Sequence, residues 1–83
     1  MNINFEVLTE GERFIVEWQF SFAGGFKTAL ADAIRRADEY HLNLLSLGFP
    51  DEVEAYRNYS RLPGWWEEVQ KRAGIIIRQQ EAK

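Results

Sequence analysis

One histidine, no cysteine and thirteen carboxylates define the chemistry open to this 83-residue chain. His41 is the sole imidazole, so no metal centre with two histidine ligands can form within one chain. The lack of cysteine removes thiolate zinc sites, thiol nucleophiles and disulfides. Glu67 and Glu68 are adjacent; on a helix they diverge by about 100° and cannot flank one bond. Asp51, Glu52 and Glu54 lack the glycine and spacing of a calcium loop. They suit a first helical turn, where carboxylates complement the helix dipole. Ser21, Ser46 and Ser60 lie in no nucleophile elbow. Ala23-Gly24-Gly25 ahead of Lys27 and Thr28 has the setting of a phosphate-binding loop. That loop needs glycine directly before the lysine and again five residues earlier, where this chain has Phe26 and Ser21. His41 reads as a partly buried, hydrogen-bonded residue on the flank of a helix. No catalytic residue, metal or cofactor is expected, and the chain is not expected to be an enzyme.

Binding chemistry is better represented. Tyr56, Arg57, Tyr59, Arg61 and Trp65 fall within ten residues, and Trp, Tyr and Arg dominate the energetics of protein interfaces. Trp65 and Trp66 are neighbours on a helix and point in different directions; Trp66 has core spacing with Val69, which leaves Trp65 as the interface candidate. A nucleic-acid contact would use Arg35, Arg36, Arg57 and Arg61, with tyrosines for stacking. Against it, six acids balance six bases from residue 51 onward, whereas a phosphate-tracking surface is clearly basic. Spare apolar surface at Phe22, Leu42 or Trp65 would suit a homodimer.

The elements expected to carry these groups form an α+β fold. Residues 2–22 alternate apolar and polar side chains about Thr9-Glu10-Gly11-Glu12, the pattern of an antiparallel β-hairpin. In it Phe14, Val16, Trp18, Phe20 and Phe22 share one face. From about 26 to 47, Phe26, Leu30, Ala33, Ala37, Tyr40, Leu44 and Leu47 are spaced by three and four, which predicts one long helix packed on the hairpin by that stripe. Gly48 and Pro50 end it. Shorter helices are predicted at about 51–61 and 64–73, separated by Pro63-Gly64. In the tail, 74–83, the β-branched Ile75, Ile76 and Ile77 favour a short strand over continued helix.

The length fits one domain, 1–83. At 46% hydrophobic the chain is too apolar to be disordered, and its formal charge of −3 gives nucleic acid no general attraction. No apolar run approaches a membrane span, and MNINFEVLTEGER lacks the basic start and apolar core of a secretory signal. A cytoplasmic location without membrane contact is expected. In size, self-containment and balance of aromatic and acidic residues, the chain resembles the small accessory proteins of phages and mobile elements. That group includes inhibitors of host defence such as anti-CRISPR proteins; the likeness covers no specific residues. The functional expectation is a non-enzymatic protein-binding module that inhibits or adapts a macromolecular partner, with a nucleic-acid-binding or regulatory module as the alternative.

Overall fold

The computed structural model describes residues 3–75, and among them every regular element is helical. A 3-10 turn at Phe5–Val7 precedes α1 (Glu10–Gln19), α2 (Gly25–Arg36), α3 (Glu39–Gly48), α4 (Pro50–Arg61) and α5 (Trp65–Arg72). The expected α+β fold is therefore corrected to an all-α fold, and the N-terminal hairpin does not exist.

The reason lies in two signals within Thr9–Glu12. Thr9 Oγ1 accepts the Glu12 backbone N–H, and Glu12 Oε1 accepts the Thr9 backbone N–H. This reciprocal capping box starts a helix where a turn was expected. The alternation that follows comes from a helix buried on two sides. Phe14 and Ile15 enter a core with Leu30, Ala31, Ile34, Leu42, Val53 and Ala55. Val16 faces the other way, into a second core with Val69, Ala73 and Ile75. Ile15 and Glu17, expected to point outward, are buried, while Phe22, expected on the inner face, is 59% exposed.

Helix α1 stops in a Schellman motif. Ser21 sits at φ 63°, its N–H donates to Trp18 O, and Phe22 N–H donates to Glu17 O. The buried Glu17 carboxylate takes Arg13 Nε at 2.8 Å and Lys27 Nζ at 3.3 Å, tying α1 to α2.

The single long helix is likewise corrected. Ala37 and Asp38 are extended, and Asp38 Oδ1 accepts the His41 N–H at 2.8 Å, capping a new helix. The chain reverses there, so that Phe26 near the start of α2 lies 6.0 Å, ring to ring, from Phe49 just past α3. The buried residues are Leu30, Ala31 and Ile34 on α2 and Leu42 on α3. Of the predicted stripe only Leu30 is buried; Ala37 packs half-buried against the core, and Phe26, Ala33, Tyr40, Leu44 and Leu47 are exposed.

Helix α4 is central and touches α1, α2, α3 and α5. Its crossing with α1 is close because residue 11 is glycine. A Cβ there would collide with Asp51 O and lie 2.8 Å from the Ala55 Cβ. Arg72 of α5 closes the second core by donating to Glu12 and to Val7 O. Ile75 is buried in that core. Ile76 and Ile77, on which the predicted strand also rests, lie outside the described residues.

Candidate functional site

The predicted Tyr/Arg/Trp segment separates into three places. Tyr56 and Tyr59 join an aromatic row that holds helices together. The Trp18 ring lies 6.3 Å from Tyr56 and 5.7 Å from Tyr59, Tyr59 lies 5.6 Å from Trp66, and Trp66 lies 6.2 Å from Phe20. Tilted and edge-on ring contacts of this kind stabilise a core beyond the area they bury. Burial, followed by the neighbouring Tyr56, pushes the Tyr59 phenol above its ordinary pKa.

Arg57 and Arg61 turn toward α3. Both pair with Glu39 at 3.0 Å, and Arg57 also donates to Asn43 Oδ1 at 2.9 Å. The Arg61 hydrogen bond, with Arg57 behind it, holds the Glu39 carboxyl below its ordinary pKa. Trp65 is half-buried and lines a pocket of about 350 Å³ with Glu10, Asp51, Glu54 and Asn58. Trp66 is half-buried as well, so the two tryptophans do not divide into one core and one exposed residue.

Arg35 and Arg36 share Asp32, at 2.6 and 3.1 Å, and the Arg35 bond is the main cause that holds Asp32 low. The four candidate phosphate-binding arginines thus gather near the Ala37–Asp38 reversal, where α2 ends, α3 begins and α4 ends. Asp32 holds Arg35 and Arg36 and Glu39 holds Arg57 and Arg61, so four guanidiniums meet two carboxylates, while Asp38 pairs with His41.

His41 is exposed, with Nδ1 2.8 Å from Asp38 Oδ1 and its ring edge-on to Tyr40. The His41 backbone N–H, then its ring, holds the Asp38 carboxyl below its ordinary pKa. Among the described residues no three His, Cys, Asp or Glu side chains gather to hold a metal ion, and no helix is long and apolar enough to cross a membrane.

Most of the exposed large apolar side chains lie elsewhere. Phe26 (66% exposed), Tyr40 (67%), Leu44 (48%) and Leu47 (82%) all belong to the stripe read as core. Tyr40, Leu44 and Leu47 share one face of α3, on the side opposite the buried Leu42. Between α2 and α3 runs an open groove of about 530 Å³, lined by Ala33, Arg36, Ala37, Asp38, His41, Leu44 and Leu45. From Tyr40 to Phe49 there is no Asp, Glu, Lys or Arg, in a chain where 28% of residues are charged. Helical periodicity marked these residues as special; it could not say which of two apolar stripes the fold covers. Leu42, considered for a dimer contact, is buried and unavailable, whereas Phe22 is exposed.

Comparison with known proteins finds no matching family model, no significantly similar curated protein and no significantly similar solved structure. The all-α fold and this result leave the reading as an α+β inhibitor of phage type without support.

Proposed function

We propose that the chain is a non-enzymatic protein-binding module whose working surface is the exposed face of α2 and α3. Its occupant is an uncharged, apolar helix face of a protein partner. One observation carries this reading: large side chains at helical spacing, Tyr40, Leu44 and Leu47, stand in water beside a groove floored by Ala33 and Ala37. An apolar helix laid along such a groove is a recurring mode of protein recognition, read as anchors three and four residues apart. Tyr40 to Phe49 carries no Asp, Glu, Lys or Arg, and the charged residues of the groove, Arg36 and Asp38, are of opposite sign, which matches an apolar occupant better than a phosphate backbone or a charged peptide. The lack of cysteine suits a reducing compartment such as the cytoplasm.

The test is affinity capture by the tagged chain at low and high salt, with and without nuclease. Wild type is compared with Leu47→Glu and Trp65→Ala after circular dichroism has shown both folded. Capture that resists nuclease and salt and disappears only in Leu47→Glu is the expected result. Capture lost only in Trp65→Ala moves the site to the pocket beside Glu10 and Glu54. Capture abolished by nuclease or salt overturns the proposal in favour of the arginines around Glu39 and Asp32.

A further inference from the structure

We infer that the occupant of the α2–α3 face is a second copy of this chain, paired through α3 about a twofold axis beside Leu44. This rests on the proposal above that the face is a binding surface, and it names the partner.

A twofold interface uses the same patch twice, so the patch must complement itself. Here the α3 ridge of each copy lies along that of the other. Tyr40, Leu44 and Leu47 form a ridge with spacings of four and three, while Ala33 on α2 and Ala37 just past its end line the adjoining groove. The ridge is close to symmetric about Leu44. When two such helices run antiparallel, Leu44 approaches Leu44 of the second copy, and Tyr40 lies beside Leu47 of the second copy at each end. The ridge spacing is the seam spacing of antiparallel helix pairs.

Charge favours the same pairing. Each copy carries a net −3, so two copies repel wherever acidic surfaces meet. The first turns of α1, α3, α4 and α5 all bear carboxylates. On α3 they are confined to Asp38 and Glu39 at its start, and Tyr40 to Phe49 has none, so an antiparallel pair centred on Leu44 keeps the acidic ends of the two copies apart.

The area fits a weak, reversible pair. Tyr40, Leu44 and Leu47 are 67%, 48% and 82% exposed, and together they offer on the order of 400 Å² per copy, less than the roughly 800 Å² per partner of a standard interface. The dimer is therefore expected to be transient and to dissociate on dilution.

The experiment is sedimentation equilibrium across a wide concentration range, combined with single-site charge and cysteine variants. Wild type is expected to pass from monomer to dimer. Leu44→Glu and Leu44→Lys, each alone, remain monomeric, and an equimolar mixture of the two restores the dimer, because the two residues meet at the axis. In this cysteine-free chain, Leu44→Cys crosslinks with itself on oxidation, whereas Leu47→Cys crosslinks well only with Tyr40→Cys. A wild-type chain that stays monomeric at the highest concentration overturns the second copy as occupant. In that case the binding face itself stands or falls on whether Leu47→Glu still captures protein. A dimer that persists in Leu44→Glu overturns the pairing through α3.

Discussion

Glu12 and Arg72 are sixty residues apart in the chain and meet in a two-point contact: both guanidinium Nη atoms donate to the Glu12 carboxylate. The same carboxylate accepts the Thr9 N–H that opens α1, and Arg72 also reaches Val7 O. One ion pair thus joins the N-terminal turn, the start of α1 and the end of α5. Arg72 is partly exposed, which limits the net worth of the pair. Glu12→Ala is expected to cost about 1–2 kcal/mol, mostly through the lost cap and the unpaired Arg72. A double-mutant cycle with Arg72→Ala, read by urea unfolding, should give a coupling of about 0.5–1 kcal/mol.

The same contact predicts acid sensitivity. Burial pushes the Glu12 carboxyl up, but hydrogen bonds from Arg72 and Thr9 outweigh it, and the folded pKa lies below its ordinary value. A group depressed in the folded state contributes fully above its unfolded pKa, about 4.3 for glutamate, and loses that contribution as pH falls through the folded value. Asp32, Asp38 and Glu39 are displaced in the same direction. The urea midpoint should therefore be flat near neutrality and fall as pH drops below about 4.3. In Glu12→Gln that fall should be shallower.

Gly11 admits no side chain. A methyl group would collide with the Asp51 carbonyl and crowd Ala55, and backbone cannot swing aside as a flexible side chain can. Gly11→Ala should cost about 2–3 kcal/mol despite its better helix propensity. Gly25, also helical but with open space around its Cβ direction, is the control: Gly25→Ala should leave the thermal midpoint unchanged or raised.

Ser21 occupies a left-handed position that glycine fills at no steric cost. Ser21→Gly should stabilise the chain by about 0.5 kcal/mol, the relief of strain exceeding the added freedom of the unfolded state. Thermal unfolding would detect this as a rise of about 2–4 °C.

Leu47→Glu and Ile34→Ala separate surface from core on the same helical hairpin. Leu47 is 82% exposed, so its replacement should change stability by less than about 0.5 kcal/mol. Ile34 is 1% exposed, and truncating it should cost about 2–5 kcal/mol.

The sequence spoke clearly where local signals act alone. Pro50 followed by Asp51 and Glu52 opens α4, and Gly64 at φ 85° separates it from α5. It misled where tertiary context decides. The alternation from Phe14 to Phe20 arises because α1 lies between two cores, which gives a helix apolar residues on opposite sides. The Thr9-x-x-Glu12 cap was written in the sequence and outweighs that pattern. Arg35-Arg36 followed by Asp38-Glu39 likewise marks one helix ending and another starting, though the apolar spacing runs through the break. At the candidate site, residue types suggested an interface at Tyr56–Trp65. The exposed stripe on α3 was visible as a pattern but not as a surface, since exposure is a property of the packed whole.

The aromatic row has a practical consequence for spectroscopy. Trp18, Trp65 and Trp66 are the chain's three tryptophans, placed on α1 and α5, and each packs against the cores. Helices α2 and α3 have none. Intrinsic emission excited at the red edge therefore reports the α1–α4–α5 half of the molecule and is nearly silent about events on α3. A titration followed only by tryptophan emission could show no change while the α3 face fills. Tyr40 is the native chromophore on that face, so a label placed beside it, or its own ring resonances in magnetic resonance spectra, is the direct reporter of occupancy.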